Sequence, residues 1–119
     1  MTKIVFYRSG GVFYGFEESG HSGYGEAGDD ILCAALSAMT MLIINTVEVA
    51  YASDIDYSID EGATRVVVRA KSALPEYEEE EIKLYAISGL FMSYFYQLND
   101  MIEEYYDYLS VEVKDIDYI

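Results

Sequence analysis

Two short runs of β-branched and aromatic residues, KIVFYR (residues 3–8) and VFYGFE (residues 12–17), flank the tripeptide SGG. Such runs favour extended backbone, and glycines between them supply the positive φ of a tight turn, so the chain opens with a β-hairpin. A hairpin commits the rest of a small domain to extending that sheet or covering one of its faces. After Asp29 and Asp30, the residues Leu32, Leu36, Met39 and Ile43 recur at helical spacing, which predicts a helix from about residue 30 to the high forties. Asp30 reads as its N-cap, where a carboxylate accepts from unpaired N–H groups and meets the positive end of the helix dipole. DIDYSID and TRVVVRA, joined by EGA, read as a second hairpin. Pro75 followed by Glu76, Glu78, Glu79, Glu80 and Glu81 signals the start of a second helix, apolar nearly all round from Leu84, and YLSVEVKDI reads as a last strand. The expected fold is α+β: one domain over residues 1–119, a mainly antiparallel sheet with two helices packed on it, in the order ββαββα plus a C-terminal strand.

The charge balance narrows the function. Among 119 residues, 22 are acidic and 7 basic, for a net charge of −15, and 13 are tyrosines. Such a field repels phosphate backbones, so direct nucleic-acid binding and anionic membranes are not expected. It draws in a basic partner instead, by steering that weakens with salt. One cysteine makes no internal disulfide, and no secretory leader precedes the first strand, so a reduced, cytoplasmic protein is expected. The apolar runs MTMLII and 84–98 are shorter than the ~18–20 residues of a membrane span, so no spanning helix is expected.

The chain's only histidine and only cysteine stand at the two ends of SGHSGYGEAGDDILC (residues 19–33). Within it, GYGEAG matches the dinucleotide fingerprint literally, but Glu26, Asp29 and Asp30 crowd the place a pyrophosphate would take, and the flanking hairpins supply no parallel βαβ unit. Zinc draws its four ligands largely from Cys and His, and two such residues are too few, so neither metal nor cofactor is expected. A thiol at a helix start is different. There the unpaired N–H groups and the dipole stabilise a thiolate, lowering its pKa to roughly 3.5–7.5 from about 8.5. Asp30, Cys33 and Ser37 share one helix face by their spacing, which places Cys33 on a polar edge, with Ala34 and Ala35 leaving room for a substrate backbone. The competing readings are an inert small hydrophobe at Cys33 and, for the whole chain, an acidic interaction module that binds a basic protein without chemistry.

The run GHSGYGEAGDDILCAALSA (residues 20–38) resembles the signature of the bacterial ribosomal-processing cysteine protease family, Prp: Gly-His, a glycine-bearing loop, then Asp-Ile-x-Cys-Ala-Ala and a serine on the next turn. Ser22 and Leu32 stand where that pattern more often has alanine and valine. The resemblance implies a catalytic dyad of His21 and Cys33, with Asp30 as cap and orienting group and Ser37 in support. It implies that Gly20, Gly23, Gly25 and Gly28 belong to a flexible substrate loop. It further implies a homodimeric endopeptidase, without cofactor, that removes the N-terminal extension of large-subunit ribosomal protein number twenty-seven by cutting after an aromatic pair.

Overall fold

The computed structural model describes residues 1–20, 27–60, 62 and 64–118, with the backbone alone at 27–30. The expected first hairpin is β1 (Thr2–Ser9) and β2 (Val12–Ser19), joined through Gly10 and Gly11, both at positive φ. Helix α1 (Ala27–Asn45) runs into one π-helical turn (Thr46–Ala50). The second hairpin is β3 (Asp56–Asp60) and β4 (Arg65–Arg69), and helix α2 (Glu81–Tyr105) leads to β5 (Leu109–Asp115). The strands lie in the order β3-β4-β2-β1-β5, and every pairing is antiparallel except β1 with β5. The fold is therefore α+β with a mainly antiparallel sheet.

Both helices cover one face of that sheet, and a bulge decides which aromatic residues they meet. Tyr7 pairs with Gly15 but Arg8 pairs with Phe13, so Tyr14 is an extra residue on β2. An extra residue reverses the alternation of faces. Phe13 and Phe16 consequently share the helix side, whereas Tyr14 turns to the other face and donates to the Ile116 carbonyl at 2.6 Å. Phe6 is fully buried at the centre of the aromatic cluster, its ring 5.3–5.9 Å from those of Phe13, Phe16, Tyr94 and Phe95. From α1, Leu32, Leu36, Ile43 and Ile44 join the core, with Val47 from the π-helical turn.

Three local expectations are corrected. Helix α2 begins at Glu81, not at Pro75. Residues 75–80 form a turn in which the Tyr77 and Glu78 amides donate to the Leu74 carbonyl, and Glu80 is extended. Proline and clustered acids suit a turn before a helix as well as a first helical turn, and like charges one turn apart disfavour extending the helix through them. Helix α1 starts at Ala27, so Asp30 is its fourth residue and Gly28 its second, in place of cap and loop. An acid is favoured throughout the first turn, so the sequence did not discriminate the cap from the positions after it. Finally, the segment Ile31–Ala50 has a mean hydropathy of 1.8 over 20 residues, enough by length and composition for a membrane span. The helix runs on through Asn45, Thr46 and Glu48, which a reading of unbroken apolar runs stops at. Its buried stripe lies on the sheet, while Ile31, Met41, Leu42 and Val49 remain exposed.

At the far end of β2, Gly20 turns the chain at φ +84, and a Cβ there would stand 2.6 Å from the Met1 carbonyl oxygen. Only glycine fits this close approach without displacing the N-terminus.

Candidate active site

Helix α1 carries Cys33, and the core holds the helix from both sides of that residue. Leu32 and Leu36 are fully buried against the sheet, and the line continues through Ile43 to Val47. Cys33 lies in the second turn and is only 9% exposed. The expected polar edge is thus corrected. Cys33 belongs to a buried line with Leu36 and Thr40, three and seven residues on, while Ser37, four residues on, is exposed. The buried stripe of α1 is wider than the leucine and isoleucine spacing alone suggests, because small or hydroxylated side chains share it.

The other site residues divide by what is described. His21, Gly23 and Gly25 lie outside the described residues. Asp30 is placed on α1 one turn before Cys33, by its backbone, and Gly28 is helical. Gly20 stands at the close approach to Met1. Among the tyrosines, Tyr7 and Tyr14 line a groove with Glu17, Arg65, Arg69 and Lys114 on the sheet face away from the helices. Tyr7 donates to Glu17 at 2.6 Å, and burial together with that carboxylate pushes its phenol up to about 12, while Arg65 holds Glu17 below the usual carboxylate range. These aromatic side chains stand across the sheet from Cys33 and do not belong to its surroundings.

One residue near the site is absent from the sequence expectations. Glu18, the penultimate residue of β2, is 3% exposed on the helix side, paired with Ile4 of β1 and Val66 of β4. Burial pushes its carboxyl up to about 7, partly opposed by the Thr40 hydroxyl of α1. Tyr94 of α2 faces the same point, its phenol raised first by burial and then by Glu18. The Thr40 and Tyr94 hydroxyls are fully buried and make no hydrogen bond of good geometry, so the three groups are within interacting range but imperfectly aligned. A signal was present: beyond the bulge, Glu18 has the same parity as Phe16, the buried face of the strand.

The family model described as cysteine protease Prp matches residues 1–110, nearly the whole chain. The chain belongs to that family. It is accordingly a cysteine protease, and Cys33 is its only cysteine. Solved structures share the fold. SMU.848 of Streptococcus mutans superposes with a TM-score of 0.78 at 23% identity, over 98% of this chain and 99% of that one. The essential ribosomal processing protease Prp of S. aureus gives 0.76 at 18% identity in complex with a substrate peptide, over 96% of this chain and 100% of that one. The same protease with a covalently linked product peptide gives 0.74 at 19%, with the same coverage. No curated protein matches by sequence.

Proposed function

We propose that this chain is an endopeptidase that removes the N-terminal extension of large-subunit ribosomal protein number twenty-seven, cutting after an aromatic pair with a His21–Cys33 dyad. The observation that carries this reading is family membership over residues 1–110 together with Cys33 on the first helix, two residues after the Asp-Ile pair that precedes it. The fold shared with a ribosomal processing protease solved in complex with a substrate peptide supports the substrate class. The net charge of −15 supports a basic protein as substrate and argues against direct contact with nucleic acid.

In the proposed mechanism, His21 takes the thiol proton of Cys33 and the thiolate sulfur attacks the scissile carbonyl carbon. Backbone N–H groups near the start of α1 stabilise the oxyanion. The imidazolium returns its proton to the leaving amine as the C–N bond breaks, and water then hydrolyses the thioester, regenerating thiol and releasing a carboxylate. Asp30, on the same helix one turn earlier, acts as an orienting group and Ser37 in support. The exposed apolar side chains Ile31, Met41 and Leu42 on α1, with Val49 on the π-helical turn, support a homodimer and give this hydrophobic helix a protein neighbour in the cytoplasm.

The dyad is tested by His21→Ala. Loss of the general base and acid lowers kcat by roughly 10²–10⁴-fold on a peptide carrying the extension, with the fold unchanged by circular dichroism. Turnover within a few-fold of wild type refutes the dyad.

A further inference from the structure

Thr2, Ser53 and Ser72 bury hydroxyls elsewhere, but among the described residues the one buried carboxyl lies between the sheet and the two helices, where β2, α1 and α2 meet, with two hydroxyls facing it. Glu18 supplies the carboxyl, Thr40 and Tyr94 the hydroxyls, and all three residues are buried. A buried polar group costs stability unless its hydrogen bonds are made, so a carboxyl buried against two imperfectly bonded hydroxyls calls for a role. Its placement suggests one. Thr40 lies seven residues from Cys33, two turns along the same buried line of α1, and Glu18 lies two residues before the Gly20 turn. The cluster therefore joins the end of β2 to the helix that carries the nucleophile.

We propose that Glu18 is a positioning residue of the protease, a proton-dependent clamp that fixes α1, and with it Cys33, on the end of β2. Burial favours the neutral acid over the pull of the Thr40 hydroxyl, and in that form Glu18 both donates and accepts hydrogen bonds without placing a charge in the core. As a carboxylate it is an unpaired charge in the core. Ile4 of β1 and Val66 of β4 flank it, and Thr40 and Tyr94 face it from the helices, so the described residues around it bring no cation. Ionisation is relieved by loosening α1 from the strand, which misplaces the thiol.

A carboxyl raised to about 7 in the folded protein stays protonated after the unfolded chain has ionised. The stability it contributes is complete below the unfolded pKa of about 4.3 and is lost as pH rises through the folded value. Glu18→Gln keeps the size and hydrogen bonding of the neutral acid and cannot ionise.

The inference rests on the proteolytic reading for its kinetic part only, and two of its three readouts are independent of turnover. Wild type and Glu18→Gln are compared from pH 5 to 8.5. The melting temperature of wild type falls relative to the variant by about 10 °C across that range. Amide-exchange protection of α1 relative to β1 falls in wild type by about threefold or more above pH 7 and stays level in the variant. The kcat ratio of variant to wild type on the extension peptide is near one at pH 5.5 and rises to about threefold or more at pH 8.5. Thr40→Val moves the wild-type midpoint upward, because the hydroxyl favours the ionised form. A kcat ratio and an α1 protection that are both flat with pH overturn the inference, since a merely structural Glu18 moves neither. A pH-dependent α1 protection in a wild type that cleaves no peptide upholds the clamp and overturns the proteolytic reading.

Discussion

Cys33→Ala abolishes peptide cleavage and leaves the protein folded. The family to which the chain belongs is one of cysteine proteases, and the chain has a single cysteine, so no second thiol exists to take over. Removing the nucleophile of a covalent mechanism lowers kcat by on the order of 10⁶-fold, which in practice is the background rate. The structural cost is small by comparison. Sγ is one atom on a helix anchored elsewhere, by Leu32, Leu36, Ile43, Ile44 and Val47. Alanine is also the best helix former, so the backbone loses nothing at this position. The check is a single-turnover assay at enzyme excess with circular dichroism on the same preparation. Cys33→Ser is the sharper companion, since it keeps the hydrogen-bonding shape and substitutes a far weaker nucleophile at neutral pH.

Phe6→Ala produces the largest loss of stability expected from one side chain. Phe6 is fully buried on the interior strand β1 and meets four aromatic rings, from β2 and α2. Truncating a buried phenylalanine costs about 3–5 kcal/mol, since the cavity adds to the lost transfer energy. The surrounding rings belong to different elements and pack at tilted angles, so the gap does not collapse easily. For a domain of this size the melting temperature falls by about 15 °C. Thermal unfolding followed by far-ultraviolet circular dichroism measures it. A drop under about 4 °C would show that α2 is not seated on β1 and β2 as described. Phe6→Leu, which keeps most of the volume, restores the greater part of the loss.

The elements that the sequence revealed are those whose periodicity is local. KIVFYR and VFYGFE alternate over a few residues and turn at two glycines, and α1 repeats leucine and isoleucine over four turns, so β1, β2 and α1 needed no tertiary information. The start of α2 was misread because Pro75 and five glutamates fit a turn and a first helical turn equally. Only the tertiary packing decides between them, with the Tyr77 hydroxyl donating to the Tyr118 carbonyl at 3.1 Å. The parallel pairing of β5 with β1 is a long-range contact that no local pattern encodes. At the site, the sequence placed Cys33 on α1 but on the wrong side of its polar boundary. The i,i+4 step from Cys33 leads to the exposed Ser37, whereas the i,i+3 and i,i+7 steps lead to the buried Leu36 and Thr40. Glu18 escaped because the bulge at Tyr14 changes the parity of β2 midway, so a count of alternation begun at the buried Phe13 puts Glu18 on the opposite face.

The central claim is that this fold trims a basic ribosomal protein by thiol chemistry at Cys33. The most direct test incubates the purified protein with a synthetic peptide carrying the N-terminal extension of ribosomal protein number twenty-seven, beside Cys33→Ala, and reads the products by mass. The account predicts one cut, after the aromatic pair, in the wild type alone. A peptide that stays intact with wild type, or one cut equally by Cys33→Ala, contradicts it; an intact peptide that nevertheless binds identifies an acidic binding module in its place.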